Sequence, residues 1–292
     1  MLLNRLLGLD EAESIFLAEE SWQDLIDLPV SAEIMQEELA MDSCIEIKGL
    51  GFVLHLTEPA RIWLLLTDRY SSQKILSDIP EQWKGHVIRS VKVEDSDFFL
   101  AINEYFSTSM AEGLFCDVCS QNGAIHHVEE RIERLVDFLR AHLDSDDGIL
   151  EVCCGSGMAT QALFRLGLHP LVMDSDRCDM CTALKNELLD PQKSFVLDAR
   201  HLPCMFPERS FGTVLGFMVG LIDDFNWPQW RDILLKASSL AQNRVLFTVY
   251  TQREAELIAK ALGSAGWTGQ IIDNRDFRGI YDQWAYSGTR SH

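Results

Sequence analysis

Hydrophobic and polar positions change their rhythm twice along this chain. Ile15, Phe16, Trp22, Leu25, Ile26 and Leu28 recur at helical spacing, and residues 31–41 read as a second amphipathic helix capped by Ser31. Residues 44–48 and 52–57 then form two short apolar runs around Gly49-Leu50-Gly51, a hairpin signal. Residues 61–66 predict a third strand. Ser71 or Ser72 is expected to cap a short helix to Leu76, closed by Pro80. Residues 86–93 predict another strand and 95–110 a helix. This mixture predicts a small α+β accessory or lid domain over residues 1–112, in which no motif is recognised.

The second half alternates regularly. Residues 111–124, with Gly113 and Gly123, read as a linker. Residues 126–143 predict a strongly amphipathic helix. Val128, Ile132, Leu135, Val136, Leu139 and Leu143 share its apolar face, opposite Glu129, Glu130, Arg131, Glu133 and Arg134. Asp144–Asp147 ends it. Strands are expected at 149–152, 170–173, 194–197, 213–217 and 244–250, with helices at 158–166, 179–189, 227–241 and 253–262 between or after them. Two closing strands, 268–272 and 280–286, are joined by a turn at 273–279. Alternation of this kind predicts an α/β, doubly wound, mostly parallel seven-stranded sheet over residues 113–292. The last two strands have no helix between them, which requires an antiparallel member at one edge.

The chemistry concentrates at the ends of the first three of these strands. Ile149-Leu150-Glu151-Val152 runs into Cys153-Cys154-Gly155-Ser156-Gly157 and then into a helix. Glycine lets the backbone turn sharply and lie close to a ligand. Amides at such a turn attract polar or anionic groups. Asp174 ends the second strand, 19 residues beyond Gly155, where a carboxylate accepts from ribose hydroxyls. Asp198 ends the third, where it accepts from an exocyclic adenine amine while the Ala199 amide faces a ring nitrogen. Ligands in open α/β sheets sit at these carboxyl ends.

Four stretches in order resemble the class I S-adenosylmethionine-dependent methyltransferases, over residues 126–286. The stretch from Ile149 to Gly157 is similar to the family's first motif, and Leu171-Val172-Met173-Asp174 to its second. Asp198-Ala199, Leu202-Pro203 and Ser210-Phe211 are similar to the passage around its third and fourth strands. The resemblance implies a Rossmann-like methyltransferase sheet of order 3-2-1-4-5-7-6, with strand 7 antiparallel. It also implies S-adenosylmethionine as cofactor. Glu151 would orient the ammonium side. Cys153, Gly155, Ser156 and Gly157 would form the loop. Asp174 and Ser175 would lie at the ribose, and Asp198 and Ala199 at the adenine. Phe217 would begin the wall between cofactor and acceptor. Two departures stand out: Cys153 replaces the motif's usual first glycine, and Gly212 replaces the usual Asp after Ser-Phe.

Relatives acting on amino groups of nucleic acids or of protein glutamine carry Asn/Asp-Pro-Pro-Tyr after strand four. This chain carries Gly216-Phe217-Met218-Val219-Gly220-Leu221-Ile222-Asp223, so a small-molecule acceptor is expected. Asp223 and Tyr250 are the candidate catalytic residues. Asp224, Trp227, His126, His127 and Tyr105 are further candidates for contacts. A dehydrogenase is disfavoured, because Ala159 and Thr160 stand near the place of a third glycine and Glu151 would oppose a pyrophosphate. Two other readings stay open. One is a non-catalytic regulatory module that keeps the cofactor pocket and binds a protein partner through its acidic N-terminal domain. The other is a protein methyltransferase.

Charge and cysteines narrow this further. The formal net charge is -20, and residues 1–50 hold twelve acids against Arg5 and Lys48, which disfavours a nucleic-acid partner. No uncharged apolar run reaches the roughly 20 residues of a membrane span. Residues 1–9 are too short for a signal peptide, so a cytoplasmic protein is expected. The eight cysteines fit reduced thiols. Cys116/Cys119 and Cys178/Cys181 have C-x-x-C spacing, but a whole βαβ unit separates the pairs. The expectation is therefore thiols and no metal, with a four-thiolate zinc site as the alternative.

Overall fold

The computed structural model describes residues 1–76, 79–114, 128–143, 148–277 and 279–290. The linker expected at 111–124 falls largely outside these residues. So do Cys116, Cys119, His126, His127 and the helix end at 144–147. Two compact units divide the chain, Met1–Asp117 and Val118–His292.

The first unit begins with helix α1 (Leu2–Leu7) and strand β1 (Ile15–Leu17), then helices α2 (Trp22–Asp27) and α3 (Pro29–Ile34). Strands β2 (Met41–Ile47), β3 (Gly51–Leu56) and β4 (Ile62–Leu66) follow, then α4 (Glu81–Lys84), β5 (Val87–Val91) and α5 (Asp95–Ala111). The sheet order is β1-β4-β3-β2-β5. The expected hairpin is present: β2 and β3 pair antiparallel, with Ile47 opposite Gly51.

Three expectations for this unit fail. Residues 15–17 form a strand parallel to β4, not helix, because Ile15 and Leu17 turn inward while Phe16 faces out. The second helix starts at Pro29, where proline's fixed φ suits the first turn. The buried Glu19 carboxylate accepts from the Ser31 amide (2.9 Å), so Ser31 lies inside the helix and caps nothing. Residues 71–73 bend and 74–76 have no regular structure, so no helix forms there. The core packs Trp22 against Tyr70, Phe99 and Phe106, at ring separations of 5.1, 5.2 and 5.6 Å.

The second unit alternates as expected. Helix α6 (Glu129–His142) leads to β6 (Ile149–Val152), α7 (Thr160–Arg165), β7 (Leu171–Asp174), α8 (Arg177–Lys185), β8 (Ser194–Val196), α9 (Leu202–Met205) and β9 (Phe211–Gly216). Then come α10 (Trp227–Ser239), β10 (Ala241–Val249), α11 (Gln252–Ser264), β11 (Trp267–Asp273) and β12 (Trp284–Arg290). The order is β11-β12-β10-β9-β6-β7-β8. In order of appearance in this sheet that is 6-7-5-4-1-2-3, the arrangement implied by the sequence resemblance. Only β12 runs against its neighbours. The fold is therefore a Rossmann-like, doubly wound α/β sheet of the methyltransferase type.

The order in which strands are added reverses between the parallel strands β6 and β9, the sheet's topological switch point. In open α/β sheets ligands bind beside this point, at the carboxyl ends of the strands. Below it the core joins Ile132, Leu135 and Leu139 of α6 to Leu163, Leu215, Leu246 and Ala285. Each such fully buried side chain contributes about 1.5–3 kcal/mol. Gly216 sits in this crossing: a Cβ there would lie 2.9 Å from the Val152 carbonyl oxygen and 2.7 Å from Val219.

Candidate functional site

Glu151 is the third residue of the central strand β6 and is fully buried (0 % exposed). Among the described residues neither of its carboxylate oxygens makes a hydrogen bond, and neither does the hydroxyl of buried Thr160 beside it. Burial raises its pKa to about 8. The Thr160 hydroxyl, close by but outside hydrogen-bonding geometry, and the Arg131 charge pull it down, and the Asp174 charge pushes it up. A buried carboxyl with no partner is costly, and native interiors rarely leave one.

The loop that follows is strained where glycine is missing. Cys153 has φ 57 and Gly155 φ 54, both left-handed. For a residue with a Cβ this costs roughly 1–2 kcal/mol. Burial first, then the charges of Asp174, Asp198 and Glu151, push the Cys153 thiol up. At Gly157, φ is 77, which strains any side chain, and a Cβ would also have to push aside Leu189 Cδ2, 2.9 Å away. Ser156 is half-buried in the same turn, and Cys154 is buried with its Sγ 3.4 Å from Met180 Sδ.

Asp174 organises this turn. Its Oδ2 accepts from the Gly155 amide (2.7 Å) and its Oδ1 from the Asp176 amide (2.8 Å). Each oxygen keeps a lone pair for a further donor. Ser175 is exposed next to it, and Asp176 caps α8 through the amides of Cys178 and Asp179. Asp198 departs from expectation. It accepts from the Arg200 amide (2.9 Å) and from the Arg200 guanidinium (2.5 Å at the shortest), which holds its carboxyl below the usual range. Ala199 is buried beside it. Phe217 is 4 % exposed and belongs to the core that contains Ala159 and Leu246.

On the other side of the switch point, Asp223 and Tyr250 play different parts. Asp223 Oδ1 accepts from the amides of Phe225 and Asn226 (both 2.9 Å), forming the turn before α10. Tyr250 is exposed, with its ring 6.2 Å from that of Tyr281. Asp224 pairs with Arg253 (2.6 Å), and Trp227 begins α10. Tyr105 is buried in the first unit.

The largest feature the sequence reading missed is a buried ion pair. Arg131 Nε donates to Asp282 Oδ2 at 2.7 Å, with side-chain exposures of 12 and 3 %. Thr248 Oγ1 donates to Asp282 Oδ1 (2.6 Å), and the Met218 amide donates to Thr248 Oγ1 (2.8 Å). Arg131 also lies 5.0 Å from the Tyr281 ring centre and 3.7 Å from Met158 Sδ in the glycine loop. Arg131 and Arg134 were expected on the solvent face of α6. Instead both are drawn inward, Arg134 toward the carbonyls of Asn274 and Tyr281 (3.4 and 3.3 Å). They flank the apolar stripe, where a long aliphatic stem packs well. The final strand was expected from residue 280. It starts at Trp284, because Asp282 takes φ 54 to reach Arg131.

Cys178 is exposed and Cys181 buried on α8. Among the described residues no cluster of three or more His, Cys, Asp or Glu side chains is placed to hold a metal. No described helix is long and apolar enough to cross a membrane. Two cavities are lined by described residues outside this site. One, of about 470 Å³, adjoins His142, Arg244 and Thr289, and the other, of about 500 Å³, lies in the first unit beside Gly51 and Arg69.

No protein-family model matches the chain, and no curated protein matches its sequence. Several solved structures are similar. Magnesium protoporphyrin IX methyltransferase from Synechocystis PCC 6803, with bound SAM, is 15% identical with a TM-score of 0.40, over 68% of this chain and 99% of that one. An amino pentose methyltransferase from Micromonospora echinaspora is 13% identical with a TM-score of 0.42, over 56% and 91%. A S-adenosylmethionine-dependent methyltransferase from Clostridium acetobutylicum ATCC 824 is 10% identical with a TM-score of 0.42, over 57% and 93%. The fold assignment rests on strand order and direction rather than on these likenesses, whose TM-scores all fall below 0.5.

Proposed function

We propose that the chain transfers a methyl group from S-adenosylmethionine to a small-molecule acceptor. The observation that carries this reading is Glu151, fully buried at the switch point with neither oxygen bonded among the described residues. A cationic group brought beside it would supply the missing partner and favour the ionised form. A pyrophosphate would do the opposite. The residues present therefore fit the cofactor: an ammonium for Glu151, ribose hydroxyls for the spare lone pairs of Asp174, and close backbone approach at Gly155 and Gly157. Asp198 would accept from an adenine amine once shared with Arg200.

When bound, S-adenosylmethionine supplies an electrophilic methyl carbon: the acceptor's lone pair forms the new bond to it as the carbon–sulfur bond breaks, and the pair leaves with sulfur. The chain's own part is alignment and exclusion of water. Asp223 and Tyr250 border the acceptor side in this proposal. Asp223 shapes the turn before α10, and Tyr250 offers a ring and a hydroxyl. The first unit serves as an accessory domain whose acidic surface suits a protein partner.

Calorimetry with S-adenosylmethionine tests the reading. Wild type is expected to bind one equivalent, and Asp174→Ala to bind at least roughly tenfold more weakly, a loss of about 1.4 kcal/mol. Asp198→Ala should weaken binding without disturbing the glycine turn. Absence of binding by wild type sinks the proposal. Incubation with labelled cofactor and a cell extract then separates the acceptors. Label in small molecules supports this reading, label in protein supports a protein methyltransferase, and binding without turnover supports a regulatory module.

A further inference from the structure

Two polar groups in the second unit are buried side by side without bonding: the Glu151 carboxyl and the Thr160 hydroxyl, both 0 % exposed. Glu151 lies on β6, and Thr160 is the first residue of α7, across the glycine turn. Other hydroxyls buried as deeply are used. Ser194 donates to the Asp190 carbonyl (2.7 Å), Ser238 to the Leu235 carbonyl (3.0 Å) and Thr248 to Asp282 (2.6 Å). The Thr160 hydroxyl makes no such bond, not even back to the preceding chain. A buried hydroxyl left unbonded is costly, and valine would fill the same space without that cost. Packing therefore gives no reason for a hydroxyl at this position.

The other groups that face Glu151 are committed or chemically unsuited to it. Arg131 of α6 has Nε and Nη2 on Asp282, at 2.7 and 3.4 Å, and Nη1 on Met158 Sδ. Asp174 of β7 offers only acceptors and holds the Gly155 and Asp176 amides. The Cys153 and Cys154 thiols of the loop are kept protonated by burial and are weak donors. On β9, Leu215 lies opposite Glu151 and brings no polar side chain. Among the described residues, Thr160 is thus the strong donor beside Glu151 that nothing else uses.

A carboxylate has two oxygens to satisfy. An ammonium brought to one leaves the other in a dry interior, where an unbonded charged oxygen is costly. A hydroxyl hydrogen turns freely about its C–O bond, so Thr160 can aim it at that second oxygen.

We infer that Thr160 is a positioning residue of the cofactor site: its hydroxyl donates to one oxygen of ionised Glu151, which holds the other toward the ligand's ammonium. This deepens the methyl-transfer reading and rests on it for the ammonium.

The test compares wild type with Thr160→Val, which keeps the shape, and Thr160→Ser, which keeps the hydroxyl. In calorimetry Thr160→Val should bind S-adenosylmethionine at least roughly tenfold more weakly, and Thr160→Ser should stay within about twofold of wild type. Methylthioadenosine, which lacks the amino-acid tail and its ammonium, should bind wild type and Thr160→Val alike. Urea unfolding without ligand reads the hydroxyl directly. Below about pH 7, Thr160→Val should unfold at the same midpoint as wild type or higher. Above about pH 8, where wild-type Glu151 has ionised, the wild-type midpoint should level off while that of Thr160→Val continues to fall. Equal cofactor affinity of wild type and Thr160→Val overturns the inference. So does a Thr160→Ser as weak as Thr160→Val, an equal loss for methylthioadenosine, or parallel pH dependence of the two midpoints. Absence of cofactor binding by wild type removes the methyl-transfer reading instead, and the pH dependence of unfolding then decides whether Thr160 serves Glu151.

Discussion

The two sides of the switch point treat charge in opposite ways. On the β6–β7 side two acids are left with capacity to spare, while Asp198 just after β8 is paired with Arg200. Glu151 is buried without a hydrogen bond, and Asp174 bonds two amides yet keeps lone pairs. On the β9–β10 side the bordering charges close on one another, through Arg131–Asp282 and Asp224–Arg253. An unsatisfied buried acid is a liability that a ligand can relieve, whereas a satisfied ion pair is part of the scaffold. In the proposed reading, one side receives a cationic, hydroxyl-bearing ligand while the other holds its own shape.

Breaking the scaffold side should have the largest effect. Arg131→Ala leaves Asp282 buried without its counter-charge, a loss of about 3–5 kcal/mol. Thermal unfolding should move down by on the order of 10 °C. Arg131→Met/Asp282→Asn should recover part of this, since no lone charge remains. A double variant no more stable than Arg131→Ala argues that the pair has no such role.

The receptive side should respond to pH. Glu151 has an ordinary value of 4.5 and a folded value of about 8. Its folded-state pKa is raised, so its contribution is fully present below 4.5 and is lost as pH rises through about 8. Between pH 5.5 and 7.5 the unliganded protein should lose about 2–3 kcal/mol relative to Glu151→Gln. Parallel denaturant titrations of the two proteins measure this, and identical pH slopes would contradict it. Binding of a cation beside Glu151 should also release about one proton near pH 7. The calorimetric enthalpy should then vary with the buffer's ionisation enthalpy in wild type and not in Glu151→Gln.

The smallest effect belongs to the loop. Cys153→Gly relieves the left-handed strain of roughly 1–2 kcal/mol but adds unfolded-chain freedom of roughly 0.5–1 kcal/mol. A net gain of up to about 1 kcal/mol is expected. Cys153→Val, β-branched at φ 57, should lose stability. The reverse ranking in urea unfolding would show that packing of the thiol, not backbone strain, governs this position.

The receptive side was legible in the sequence because its signals are local. An apolar strand, an acid and two glycines lie within nine residues, and the next two acids end the following strands. The scaffold side was not. Arg131 and Asp282 are 151 residues apart, and nothing near Asp282 announces a left-handed residue before a strand. Arg131 looked like one more polar residue of α6, since a helical wheel does not separate the flank of an apolar stripe from its far side. The Arg200 clasp on Asp198 was within reach, being two residues away, yet a strand-end acid invites a ligand before a neighbour. In the first unit, three residues of β1 were too short to stand out against the helical spacing of the residues beyond them.

Glu254 carries a consequence for redesign. Its carboxylate closes the capping box of α11, accepting from the Thr251 amide and hydroxyl (2.7 and 2.8 Å), and with its other oxygen fixes the Ile222 amide. The start of the helix and the loop after β9 therefore share one anchor. Under the proposed function, a graft that swaps residues 217–226 for another loop to change the acceptor would arrive without the partner its backbone needs. The transplantable module is the loop together with Thr251 and Glu254, two segments that must travel as one.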